Sequence, residues 1–171
     1  MMQSDRHRLP TLTRRALAAS LPLLALAACA GDTAPKTTGL RFIIQADDLI
    51  NPNSRNEPSP VVLRLYELKS LNAFQQASFF ELLDNDTTVL GQDLVGKREF
   101  EIKPGEKQAF ERATPIETKY IGVIAGFRSM DSATWRANVE IEPDHSSAVV
   151  VKVTAGTVSI ALTRDKTFGF F

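Results

Sequence analysis

The chain has 171 residues with 20 basic and 20 acidic side chains, a formal charge of zero, and 43% of its residues are apolar. The balance hides an asymmetry: residues 1–28 carry four arginines against one aspartate, which leaves the remainder 16 basic and 19 acidic residues and a formal charge of −3. A weakly acidic domain lacks the basic patch that displaces counterions from nucleic acid. A single cysteine excludes an intramolecular disulfide and a multi-thiolate metal site. Two histidines, one of them within the first 28 residues, give no basis for a histidine-rich metal site, and no pattern calls for a cofactor.

The amino-terminal segment is an address. Arg6, Arg8, Arg14 and Arg15 form a positive region ahead of the apolar run Ala16–Ala28, which is too short to cross a hydrocarbon core of about 30 Å as a helix. The run ends Leu26-Ala27-Ala28-Cys29. Small residues before the scissile bond followed by a cysteine fit the bacterial lipobox, in which residues 1–28 are removed and Cys29 becomes the lipidated first residue. One acyl chain anchors only marginally, so several chains on one residue are needed for stable attachment. Ala30, in place of an aspartate, directs such a lipoprotein to the outer membrane. Thr13-Arg14-Arg15-Ala16-Leu17 also fits a twin-arginine export signal, so Sec and twin-arginine export both stay open. Residues 29–39 read as a lipidated, flexible tether, and residues 40–171 as one folded domain, a length that suits a single core.

That domain is patterned for strands. Leu40, Phe42, Ile44 and Ala46 alternate with more polar neighbours, the period of a half-buried strand. Within Val61–Lys69, Val61, Leu63 and Leu65 share one face, and Val62, Arg64 and Tyr66 the other. Between Ser70 and Leu90 the period lengthens to that of short helices. Ser78 and Glu81 have capping-box spacing, Asp86 is placed to cap a further helix that Gly91 ends, and Phe74, Phe79 and Phe80 are expected beneath the sheet. Lys97–Lys103 sends Phe100 and Ile102 inward. Pro104-Gly105 predicts a type II turn into a return strand carrying Gln108, Phe110 and Arg112 on one face. Lys119–Met130, almost uncharged, reads as a long strand covered on both sides. Trp135, Ala137, Val139 and Ile141 alternate, and two β-branched runs joined at Ala155-Gly156 predict a hairpin. The fold class is therefore all-β, a two-sheet sandwich of seven or eight strands with a helical insertion at about 70–91.

The connection between the first two strands, Asp47–Pro60, is long for a compact domain, and loops of that length are usually functional or disordered; on the residues alone a tolerated solvent loop is the favoured alternative. Pro52, Pro58 and Pro60 stiffen it. Its stretch Leu49-Ile50-Asn51-Pro52-Asn53-Ser54-Arg55-Asn56-Glu57-Pro58-Ser59-Pro60, with Val61–Leu68 behind it, resembles a signature of the TssJ family, the outer-membrane lipoproteins of the bacterial type VI secretion system. The resemblance continues in family order through Phe74, Phe79–Leu82, Leu90-Gly91, Pro104-Gly105, Tyr120–Arg128 and Trp135-Arg136. Asn56 stands where the family commonly has glycine; asparagine is the residue that next best tolerates positive φ. The resemblance implies a transthyretin-like β-sandwich with a protruding first loop, lipid-anchored and facing the periplasm. It also implies a role in the trans-envelope membrane complex, in which Asn51, Pro52, Asn53, Ser54, Arg55, Asn56, Glu57, Pro58, Ser59 and Pro60 contact the periplasmic region of the IcmF-type inner-membrane subunit.

Three other readings are distinguishable. Asp144-His145-Ser146 invites a catalytic triad, but a triad is defined by spatial convergence rather than adjacency, and Pro143–Ser146 reads as a turn; the chain is read as no enzyme. A carrier of a small apolar ligand requires a cavity of several hundred Å³ lined by Phe42, Phe100, Phe110 and Phe127. An unrelated envelope-assembly lipoprotein differs in its gene neighbours.

Overall fold

The computed structural model describes residues 36–142 and 147–164. The signal, Cys29, the turn containing His145 and the apolar stretch Thr167–Phe171 lie outside the described residues. The eight strands are β1 (Thr37–Ala46), β2 (Val61–Leu68), β3 (Leu94–Ile102), β4 (Lys107–Pro115), β5 (Tyr120–Gly126), β6 (Arg136–Glu140), β7 (Ser147–Val153) and β8 (Val158–Arg164). They form two four-stranded sheets, ordered β4-β1-β7-β8 and β3-β2-β5-β6. Three short helices, α1 (Asn72–Gln76), α2 (Phe79–Asp84) and α3 (Asp86–Leu90), lie between β2 and β3.

Alternation places the core. Leu40, Phe42 and Ile44 of β1, Val61, Leu63 and Leu65 of β2, and Val149 and Val151 of β7 meet between the sheets. The opposite face of β2 supplies Tyr66 and Leu68 to a second cluster with Phe74, Leu82 and Leu90 of the helical segment and Ile124 of β5. β5 is thus covered on both faces, as its lack of charge predicts, although it stops at Gly126 and not at Met130. β7 and β8 pair antiparallel as the predicted hairpin. β1 begins at Thr37, so the last three residues assigned to the tether belong to the sheet; Thr38 is buried there.

Other local expectations are revised. Gly105 has φ 72° and the Glu106 N–H donates to the Lys103 carbonyl at 3.1 Å, in keeping with the predicted turn. Yet β4 does not return beside β3: it pairs with β1, while β3 pairs with β2. The physical reason is that both strands turn aromatic residues toward one interior, so they stack across it; the Phe100 and Phe110 rings lie 5.4 Å apart. The capping box of α2 is present, but Asp86 does not cap α3, where Asn85 occupies that position. The Asp86 carboxylate instead accepts from Lys97 Nζ at 2.7 Å and from Arg64 Nη1 at 3.0 Å. Phe74 is fully buried, whereas Phe80 is 65% exposed, because a helix of six residues presents only one face to the sheet and Phe79 takes it, against Trp135.

The registers sort the connections to two ends of the sandwich. Thr37 lies opposite Pro115 and Gln45 opposite Lys107, so chain entry and the β1–β2 loop occupy opposite ends of β1. Nine rises of about 3.3 Å along the ten residues of β1 separate them by roughly 30 Å.

Candidate partner-binding site

The β1–β2 loop is built as a closed stem and an organised tip. In the stem, Ile50 is fully buried and Asn51 is 6% exposed with φ 45°. The Asn51 side chain donates to the Pro60 carbonyl at 2.9 Å and accepts the Arg128 N–H at 2.7 Å. Its own N–H donates to the Ala155 carbonyl, and the Ser59 N–H donates to that of Ile50, both at 3.0 Å. One asparagine therefore ties both ends of the loop to the connections after β5 and β7.

At the tip, the Asn53 side-chain oxygen accepts the N–H groups of Arg55 at 2.9 Å and Glu57 at 3.0 Å, an Asx-type turn. Asn56, at φ 61°, adopts the left-handed conformation that glycine would take there. Asn53 Nδ2 and Arg55 Nε and Nη2 all donate to one Glu57 carboxylate oxygen. The bond from Asn53 first, then that from Arg55, holds the Glu57 carboxyl below its ordinary value.

Ser54, Arg55, Asn56, Glu57, Pro58 and Pro60 are exposed, and Pro52 and Asn53 half-buried. Asn51 and Ser59 are buried, which removes them from the outward surface that the sequence assigned to the whole stretch. Arg55, 77% exposed, reaches solvent with its guanidinium already bonded to Glu57. A partner carboxylate would meet this pair, not a free cation.

Sequence reasoning missed a neighbouring groove of about 560 Å³ on the outer face of the β3-β2-β5-β6 sheet, between α2 and the end of β5. Val62 and Phe80 are exposed along it. Arg64 fixes its α2 wall, Nη1 donating to the carbonyls of Leu82 and Leu83 at 3.0 and 2.9 Å, while Arg136 Nη1 holds the preceding α1 through the carbonyls of Phe74 and Ala77 at 2.7 and 2.9 Å. Alternation on β2 places Arg64 on the outer face, but nothing local announces that its partners are helix carbonyls.

The interior does not suit a carrier. Phe42 and Phe110 stack at 5.0 Å and Phe110 and Phe100 at 5.4 Å, and the cavity beside Phe42 and Phe110 measures about 10 Å³. Ligand pockets run from about 300 to 1,000 Å³.

The family model described as "Type VI secretion lipoprotein" (VasD, EvfM, TssJ) matches residues 38–156. The chain belongs to this TssJ family. Its fold is similar to that of the type VI lipoprotein TssJ1 from Pseudomonas aeruginosa, at 33% identity and TM-score 0.73 over 75% of this chain and 98% of the other. A chain described under "Type VI membrane complex" matches at 27% identity and TM-score 0.64, over 74% of this chain and 99% of that one. A chain described under "T6SS protein TssM C-terminal domain (869-1107) from EAEC" matches at 28% identity and TM-score 0.59, over 71% and 99%. No curated protein matches the sequence. As a TssJ-family lipoprotein, the chain is a membrane-associated component of type VI secretion rather than a member of an enzyme family.

Proposed function

We propose that this TssJ-family chain is anchored by Cys29 in the outer membrane, faces the periplasm, and binds the periplasmic region of the IcmF-type inner-membrane subunit through the tip of its β1–β2 loop. The observation that carries the reading is the position of that tip, at the end of β1 opposite chain entry. A domain tethered to one membrane and bound at its far end can bridge toward the other. The descriptions of two matched structures, one of a type VI membrane complex and one of a TssM domain, support an inner-membrane partner. The loop is ordered by its own bonds, so association costs little further ordering, and the contact energy should concentrate on a few exposed side chains, with Arg55 central among them.

The test is titration calorimetry of the mature chain with the partner's periplasmic region. In the variant, residues 53–57 are exchanged for a Gly/Ser turn while Asn51 and Pro60 are kept. Loss of binding at an unchanged melting temperature is expected. Binding as tight as the parent's would place the interface elsewhere on the sandwich.

A further inference from the structure

We propose that the groove between α2 and the end of β5 receives an apolar segment of the partner that the loop tip binds; this rests on the partner reading above. In this contact an aromatic or long aliphatic side chain packs on Val62 and Phe80, and a neighbouring carboxylate bonds Arg128. Three large apolar side chains are exposed among the described residues: Leu49, Val62 and Phe80. Two of them line the groove and the third stands in the β1–β2 loop, so the exposed apolar surface gathers where the domain presents that loop. Val62, the second residue after the loop, lies opposite Gly126 at the end of β5. A Cβ at Gly126 would lie 3.6 Å from the Phe79 ring of α2, which sets the helix over the strand ends that border the loop. The Arg128 N–H donates to the Asn51 side chain at 2.7 Å, so one wall of the groove is bonded to the loop stem. A partner seated on the loop has the groove as its adjoining surface.

The charges at the groove select the chemistry of its occupant. Arg64 and Glu99 both line it and neutralise each other, Arg64 Nε donating to Glu99 at 2.9 Å, and Arg64 also pairs with Asp86 at 3.0 Å. The Arg128 side chain is exposed and bonds no group among the described residues. The charge left over at the groove is therefore a single cation. A guanidinium offers a carboxylate two parallel N–H donors, whereas a lysine or arginine of the partner would be repelled there. Arg55 at the loop tip differs, since Glu57 already holds it. Within its own domain Phe80 makes only an edge contact with the Phe79 ring at 5.5 Å, so the fold makes little use of it. An aromatic side chain at the rim of a concave site is the kind of residue that carries interface energy. The first strand enters at Thr37, opposite Pro115, and the last ends at Arg164, opposite Ser147 and beside Leu40. Both lie at the other end of the sandwich, which leaves the groove clear of where the described chain starts and stops.

The experiment is titration calorimetry of the mature chain with the partner's periplasmic region, comparing the parent with Phe80→Ser, Arg128→Glu, Arg128→Lys and the loop exchange described above. Phe80→Ser and Arg128→Glu should each weaken binding about tenfold or more at an unchanged melting temperature. Arg128→Lys, which keeps the charge, should stay within about threefold of the parent. The bond to Asn51 uses the Arg128 backbone N–H and survives both substitutions. Binding of Phe80→Ser and Arg128→Glu as tight as the parent's overturns the proposal, and loss of binding in the loop exchange would then leave the loop reading standing alone. Weakened binding by the groove variants with full binding by the loop exchange supports the groove and removes the loop reading. A parent that does not bind overturns both. A lowered melting temperature of Phe80→Ser would show the groove filled by the chain itself, and a parent dimer that Phe80→Ser abolishes would show it filled by a second copy; either result overturns the proposal.

Discussion

At the scale of single residues, Asn51 and Asn56 show that two asparagines in one loop can do different work. Both adopt positive φ, but the Asn51 side chain also bonds Pro60 and Arg128 from a buried position, whereas Asn56 is exposed. Asn51→Ala loses two buried hydrogen bonds and places a Cβ residue without a polar side chain in left-handed backbone, a cost of roughly 2–4 kcal/mol. Asn56→Gly, which only relaxes the backbone, should stay within about 1 kcal/mol of the parent. Urea unfolding of the two variants checks the difference. Asp86 is the other informative residue. Burial alone would raise its pKa, but Lys97, Thr87 and Arg64 outweigh burial and hold it below the ordinary 3.8. A depressed folded value means that the unfolded chain binds the proton first as pH falls. The contribution is therefore complete above the ordinary value and is lost as pH drops through the lowered one. Trp135 packs on Phe79 of α2, so its fluorescence reports the helical segment. As pH falls below the ordinary 3.8, the parent should lose this signal more steeply than Asp86→Asn; parallel acid profiles would assign the transition to other carboxylates.

At the scale of elements, the helical segment depends on the sheet beneath it. Helices of five and six residues have little stability in isolation. Here, Phe74 buries its ring against Tyr66 at 5.7 Å, and Gly122 leaves it room, since a Cβ there would meet the ring at 2.8 Å. Arg64 and Arg136 then bond the exposed carbonyls of the helices. Phe74→Ala should cost about 3–5 kcal/mol, while Phe80→Ala, on the outer face, should change stability by no more than about 0.5 kcal/mol. Calorimetric melting of both separates them, and an equal loss would mean that Phe80 reaches the core. On the opposite flank, Arg98 lies over the Phe100 and Phe110 rings at 5.0 and 4.6 Å, and Arg112 bonds Glu67 from the other sheet. These contacts close the side of the sandwich where β3 and β4 stack without pairing.

At the scale of the whole molecule, a lipid at one end and a partner at the other would make the sandwich a rigid spacer. The reading requires covalent lipid at Cys29 alone. Metabolic labelling with palmitate should mark the parent and leave Cys29→Ser unlabelled, with that variant retained as a precursor on its signal. Label persisting in the serine variant would remove the anchor and with it the proposed orientation.

The alternation of β1, β2 and β6, the β-branched runs that pair as β7 and β8, the capping box at Ser78 and Glu81, and the positive φ at Asn56 and Gly105 are legible in the linear chain. Each depends on neighbours within a few residues, through side-chain period or backbone sterics, and these act alike in any surroundings. Joint motif order in the linear chain likewise points to the TssJ family. The tertiary structure alone decided that β4 crosses to the other sheet, that Asp86 serves Arg64 and Lys97 instead of a helix terminus, that Phe80 faces outward, and that Asn51 is a buried tie. All four depend on partners distant in sequence: β1 for β4, Arg64 and Lys97 for Asp86, Trp135 for the helix face that Phe79 fills, and Arg128 for Asn51. A local pattern records which side chains want burial or a hydrogen bond. It does not record which distant group will supply it, because that choice is made by the packing of both sheets at once.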